Sequence, residues 1–145
     1  MALVEKSVLV EYSAAQMYAL VENVAAYPEF LPWCGGTEIL RREGDLVRAA
    51  ITIDFRGIKQ RFSTENRAHP PQLIEMTLID GPFRQLDGSW RFKALGDEAC
   101  KIEFRLHYEF SSKLLERIFG PVFHYIASTF VEAFVKRARQ LYGNR

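Results

Sequence analysis

A stripe of apolar residues at helical spacing runs through the C-terminal part of the chain, from Lys113 to Tyr142. At 1.5 Å per residue it predicts a helix of roughly 45 Å with one continuous apolar side. The positions that flank the stripe lack the heptad charge pairing of a coiled coil, so a coiled coil is the weaker interpretation of this helix. We therefore predict one long helix at about residues 112–142 that lies across a sheet. Ser111 or Ser112 would cap it, and Gly120-Pro121 would kink it.

Segments of alternating apolar and polar residues provide the sheet for this helix. Six follow one another up to residue 110, separated by short turns such as Arg42-Glu43-Gly44-Asp45 and Asp80-Gly81-Pro82. Residues 3–12 alternate in the same way and predict a first strand. Between it and the next strand we expect two short helices, at Ala14–Asn23 and Ala25–Leu31, with Ser13 and Gln16 as a capping box at the first. The sequence thus predicts an α+β fold with a curved antiparallel sheet of about seven strands wrapped around the long helix.

Length and charge narrow the class of protein. A chain of 145 residues is one domain, residues 1–145, and its 19 Lys+Arg against 18 Asp+Glu leave a formal net charge of +1. This balance argues against binding through bulk basicity, and we expect no DNA partner. The charged start of the chain does not resemble a signal peptide, and no stretch approaches the roughly 18 uncharged apolar residues of a membrane span. We expect a cytoplasmic protein.

Aromatic residues form 13% of the chain, more than a plain core of this size requires. Large flat side chains between a sheet and a helix leave gaps, and an apolar pocket of a few hundred Å³ is typical of small-molecule sites. The alternative is that these rings simply fill the core. We expect the following residues to line a ligand cavity: Phe30, Trp33, Phe55, Phe62, Met76, Phe83, Trp90, Phe104, Tyr108, Phe119, Phe123 and Phe130.

The sequence contains no recognisable catalytic or metal-binding motif. None of the three histidines has a Ser or Cys partner at a recognisable spacing, and we assign no catalytic residue. Cys34 and Cys100 belong to no CxxC motif or Cys/His cluster, which predicts reduced thiols and no metal site. Tyr108 is the main polar residue among the predicted inward positions.

Local basic clusters exist in spite of the balanced net charge. Arg56, Lys59 and Arg61 lie around one predicted hairpin and form a candidate RNA contact, and a second group of cations occurs near the end of the last helix. Ordinary solvated charge is the alternative explanation for both.

Several motifs together resemble a known family. They are Tyr12–Val21, Tyr27-Pro28-Glu29-Phe30-Leu31-Pro32-Trp33-Cys34, Asp80-Gly81-Pro82-Phe83 with Trp90-Arg91-Phe92, and Phe130–Phe134. The chain is similar along essentially its whole length to the START-like, or polyketide cyclase/dehydrase, superfamily, and most similar to its ribosome association toxins and coenzyme Q-binding proteins.

This resemblance implies a helix-grip fold and a non-enzymatic protein with no required cofactor. The implied ligand is ubiquinone, another polyprenyl quinone or a similar isoprenoid or lipid. Separately, we expect that any membrane contact of the protein is transient. The alternative that the resemblance implies is a regulator or toxin that associates with the large ribosomal subunit and blocks subunit association. A third is an enzyme similar to the polyketide cyclases.

Overall fold

The computed structural model describes residues 2–143. It contains seven strands, two α-helices and one 3₁₀ helix, in this order: β1 Ala2–Val10, α1 Ala14–Glu22, the 3₁₀ helix Val24–Glu29, β2 Cys34–Glu43, β3 Leu46–Phe55, β4 Ile58–His69, β5 Leu73–Asp80, β6 Phe83–Gly96, β7 Ala99–Phe110 and α2 Lys113–Tyr142.

The strands form one antiparallel sheet in the order β1-β7-β6-β5-β4-β3-β2. β2 to β7 are therefore a meander in which every strand pairs with the next, and β1 lies beside β7, with Val8 opposite Ile102. Register shifts interrupt the pairing of β2 with β3, of β4 with β5 and of β6 with β7. Such bulges increase twist and bend strands, which lets a meander curve around a helix.

The two short helices cross from β1 to β2. At the start of α1 the Ser13 hydroxyl accepts from the Gln16 amide, and the Gln16 side chain accepts from the Ser13 amide, so the predicted capping box is confirmed. The second predicted helix is a 3₁₀ helix with Pro28 inside it. It overlaps the start of the motif at residues 27–34, which contains Pro28 and Pro32 and is called the Pro-rich segment below.

Helix α2 fills the concave side of the sheet. Ser112 is its cap, since its hydroxyl accepts from the Leu115 amide. Phe134 and Ala138 are 0% exposed in the core that α2 shares with the sheet. The helix continues through Pro121, which lies on its exposed side, where water can hydrate the carbonyl that loses its partner.

By length and composition alone, α2 is also apolar enough to cross a membrane, so the expectation that no stretch of the chain approaches a membrane span is wrong on this criterion. A core helix meets the same criterion, and the inner side of α2 is packed against the sheet. The predicted fold class, the strand count and the position of the long helix are all confirmed. The differences are small: β1 ends at Val10 rather than at residue 12, because Glu11 and Tyr12 lead into the α1 cap.

Candidate functional site

A small apolar cavity lies between the sheet and α2. Its volume is about 70 Å³, less than the few hundred Å³ that the aromatic content led us to expect. Six of the predicted cavity residues line it: Trp33, Phe62, Met76, Phe104, Phe123 and Phe130. Further lining residues that the sequence analysis did not single out are Val24, Tyr27, Ile51, Ile53, Thr64, Asn66, Leu86, Leu106, Ile126 and Ala127.

A polar pair stands in this apolar lining. The Thr64 hydroxyl donates to Oδ1 of Asn66 over 2.9 Å, and the Thr64 side chain is buried. Because Oδ1 is the acceptor, the Asn66 amide NH₂ keeps its two donor hydrogens for another partner. The pair therefore gives the cavity one hydrogen-bonding end and fits an apolar molecule with an acceptor oxygen.

Sequence analysis missed this pair although a signal for it was present. Only Phe62 is plainly apolar in the polar strand at residues 59–68. Side chains alternate between the two faces of a strand, so Thr64 and Asn66 must share the inward face of Phe62. Their position could have been found by counting from Phe62 in steps of two.

The remaining predicted cavity residues lie elsewhere. Trp90 is only 1% exposed and packs in the core, with ring contacts to Phe104 and Phe130 rather than a cavity face. Phe83 and Phe119 line a separate space of about 10 Å³ nearer the start of α2.

An open groove of about 450 Å³ runs outside the cavity, between the Pro-rich segment and the second half of α2. Phe30 and Phe55 line this groove rather than the cavity. Trp33 and Ile126 line both spaces and so form the wall between them. Movement of these two side chains would join the groove to the cavity.

A charged contact holds one edge of the groove. Arg137 forms an ion pair with Glu29 at 3.1 Å, and its guanidinium lies 5.1 Å from the centre of the Phe30 ring. The Pro-rich segment is thus attached to α2 at its exposed margin, beside the apolar wall. The inner side of the Pro-rich segment is attached to α1 by the buried Tyr27, whose hydroxyl donates to the Val21 carbonyl.

Tyr108 lines another pocket, on the other side of α2, with His124 and Glu116. Its hydroxyl lies 3.2 Å from Nδ1 of His124. Burial, and secondarily the nearby Glu116 carboxylate, raise the pKa of Tyr108 above its usual value. The hydroxyl therefore stays protonated at neutral pH and can donate to an unprotonated Nδ1.

The two thiols offer no activated nucleophile. Burial raises the pKa of Cys100 to about 11 and also raises the pKa of Cys34, so both are protonated at neutral pH. Within residues 2–143, no group of three or more His, Cys, Asp or Glu side chains is arranged to hold a metal ion.

The predicted RNA contact divides into paired and unpaired cations. Arg61 forms an ion pair with Glu38 at 3.1 Å. Arg56 lies in the turn between β3 and β4 with a φ of 53°, and its guanidinium stacks on the rings of Phe55 and Tyr125. In the described part of the chain, neither Arg56 nor Lys59 forms an ion pair, which leaves both charges open to an outside anion.

A model of one protein family matches most of the chain. The family described as "Polyketide cyclase / dehydrase and lipid transport" matches residues 10–135. The chain belongs to this family. The motifs on which the sequence resemblance rested all fall inside the matched range, and the predicted superfamily is therefore confirmed.

Curated relatives carry two kinds of name. The "Ribosome association toxin RatA" of Vibrio cholerae is 46% identical over 140 residues, which cover 97% of this chain and 97% of that protein. A mitochondrial coenzyme Q-binding protein homologue of Xenopus laevis is 28% identical over 144 residues, covering 97% of this chain and 59% of that protein. The ribosome association toxin is thus the more similar of the two, and over its whole length.

Solved structures share the fold. A START superfamily protein from Mycobacterium smegmatis superposes with a TM-score of 0.76 at 22% identity, covering 96% of this chain and 98% of that one. A Streptomyces aromatase/cyclase gives a TM-score of 0.80 at 17% identity, with 97% and 95% covered. At these identities the likeness establishes the START-like fold alone.

Proposed function

We propose that this chain is a ribosome-associating protein that binds the large subunit and hinders its association with the small one. The observation that carries the proposal is the 46% identity to a ribosome association toxin over 97% of both chains. We also propose that it works in the cytoplasm by binding rather than by catalysis. Its two thiols are protonated and its inner cavity is mostly apolar.

The β3–β4 turn supplies the proposed RNA contact. Arg56 and Lys59 are exposed cations without a carboxylate partner among the described residues, and Arg61 stands next to them with its charge shared with Glu38. Phosphate oxygens are the partners that such cations find on RNA, and contacts of this kind weaken as salt is raised.

Cosedimentation with purified large ribosomal subunits tests this proposal. The double variant Arg56→Glu/Lys59→Glu places two anions against the phosphates and should weaken association by about tenfold or more at moderate salt. The matched control is Lys6→Glu/Lys93→Glu, which makes the same charge change at exposed positions of β1 and β6. Equal sedimentation of both variants and the unmodified protein would overturn the RNA contact. Failure of the unmodified protein to sediment with the subunits would overturn ribosome association itself.

A second function, binding of a polyprenyl quinone or similar lipid, is favoured by the cavity. Its lining is apolar except for Thr64 and Asn66, and the Asn66 amide can donate to a carbonyl oxygen of a ligand. The cavity of about 70 Å³ is too small for such a molecule, whereas the groove of about 450 Å³ is not. We infer that a ligand would occupy both, with Trp33 and Ile126 displaced from the wall between them.

Extraction of the purified protein followed by mass spectrometry tests lipid binding directly. Copurified isoprenoid or other lipid, and a higher melting temperature on addition of ubiquinone, are the expected results. Protein that carries no lipid and is not stabilised by added quinone would count against this second function, and would leave the ribosome proposal standing.

A further inference from the structure

The outward face of α2 is apolar in the first half of the helix and polar in the second half. Leu114, Ile118 and Tyr125 are 63%, 46% and 41% exposed, and the exposed Pro121 lies in the same line. These positions are separated by three or four residues and therefore share one side of the helix. In the second half of α2 the same line continues through polar exposed residues, namely Glu132, Lys136 and Arg139.

Packing against the sheet explains why the inner side of α2 is apolar. It does not explain the exposed apolar residues on the outward side, called the outer stripe below. Only 28% of the most apolar 18-residue stretch of α2 is buried. Isolated exposed apolar side chains are ordinary, but several in one continuous line mark a contact surface. The first half of α2 thus has two apolar faces, one of them against the sheet and the other open.

The β3–β4 turn extends the open apolar surface. The ring of Phe55 lies 5.8 Å from that of Tyr125, and Ile58 shares a small space with Phe119 and Val122 of α2. Ile58, Phe119 and Val122 are all half-buried. The helix and the turn therefore form one surface rather than two separate features.

Cations border this surface. Lys113 and Arg117 lie at its helical end, and Arg56, whose guanidinium lies over the Tyr125 ring, lies at its turn end. All three are exposed and, across residues 2–143, none forms an ion pair. The acid of the first turn, Glu116, lies with Tyr108 in the pocket on the other side. Lys113 occupies the first turn of α2, where the helix dipole disfavours a positive charge. The charge of Lys113 therefore does not stabilise α2.

We propose that this surface docks on an anionic phospholipid bilayer. Its members, called the docking face below, are Leu114, Ile118, Pro121 and Tyr125 with the bordering Arg56, Lys113 and Arg117. Apolar side chains flanked by cations fit the boundary between acyl chains and anionic headgroups. RNA explains the cations but not the aliphatic stripe, because Leu and Ile gain nothing from a phosphate backbone. The docking face goes beyond the proposed ribosome association and shares one cation, Arg56, with it.

Vesicle sedimentation tests the docking face. The full chain should bind vesicles of phosphatidylcholine mixed with phosphatidylglycerol, should not bind phosphatidylcholine alone, and should dissociate at high salt. Leu114→Ser/Ile118→Ser should weaken this binding by about tenfold or more, since it removes the apolar half of the contact. The matched control, Leu9→Ser/Leu95→Ser, changes two leucines that are 69% and 53% exposed elsewhere on the surface, and should bind like the unmodified protein.

Three results would overturn the docking face. These are no binding to the mixed vesicles, equal binding by both double variants, or binding that disappears when copurified RNA is digested. A concentration-dependent dimer that Leu114→Ser/Ile118→Ser abolishes, without vesicle binding, would also overturn it and assign the stripe to a second copy. Ribosome sedimentation of Leu114→Ser/Ile118→Ser should be unchanged, so failure here is distinct from failure of the proposed function.

Discussion

At the scale of single residues, the buried Cys100 makes stability depend on alkaline pH. Its thiol has an ordinary pKa of 9.0 and a pKa of about 11 in the folded protein, because burial disfavours the thiolate. The unfolded chain therefore ionises first as the pH rises. The stabilising contribution is complete below pH 9 and is lost between about pH 9 and 11.

Cys100→Ala should accordingly flatten this part of the pH profile. Between pH 7.5 and 10.5 the unmodified protein should lose about 2 kcal/mol more unfolding free energy than the variant does. Urea unfolding at the two pH values measures the difference. Identical losses in the two proteins would show that Cys100 is not protected from ionisation in the fold.

Ala127 provides a test of the cavity at the same scale. It is 3% exposed and lines the inner cavity. Ala127→Leu adds three carbons to a space of about 70 Å³, so it should abolish lipid copurification and cost about 1–3 kcal/mol of unfolding free energy. Ala14→Leu, at a buried alanine of α1 outside the cavity, is the control. Unchanged lipid content of Ala127→Leu would place the ligand elsewhere.

At the scale of elements, helix ends were well predicted because their signals are local. The Ser13 and Gln16 capping box involves residues three apart, and no distant contact decides it.

Ser13→Ala should cost about 1 kcal/mol of unfolding free energy by thermal or urea unfolding, since it leaves the Gln16 amide without its acceptor. Ser7→Ala, at an exposed position of β1, should change little; an equal effect of both would argue against the cap.

The two faces of α2 show where prediction from sequence stopped. The apolar residues at 114 and 118 belong to the same helical pattern as the buried ones, and the pattern does not say which are covered. Only the course of the sheet shows that Leu114 and Ile118 stay exposed while Phe123 and Phe134 are buried. The helical pattern alone therefore does not separate the exposed apolar residues from those that face the core.

At the scale of the whole molecule, the meander was predictable and the site was not. Short turns between alternating segments dictate that β2 to β7 pair with their neighbours, whereas the pairing of β1 with β7 joins residues about a hundred positions apart. Ring packing decides which aromatics face a space. Six of the twelve predicted cavity residues line the inner cavity, and Trp90 lies in the core instead.

Binding surfaces also depend on the whole molecule. Arg56, Lys59 and Arg61 are neighbours in the sequence, yet Arg61 alone is paired, with a glutamate of β2 that lies 23 positions away. Ribosome association and bilayer docking both use Arg56, so we expect anionic vesicles and ribosomal subunits to compete for this protein.

The salt dependence of binding to purified large ribosomal subunits is the most direct measurement of the central claim. For Arg56→Gln/Lys59→Gln, the plot of log association constant against log salt should be less steep than for the unmodified protein by about two, one for each lost phosphate contact. Lys6→Gln/Lys93→Gln should keep the original slope. Binding that is absent, or that has the same slope in all three proteins, would contradict ribosome association through the β3–β4 turn.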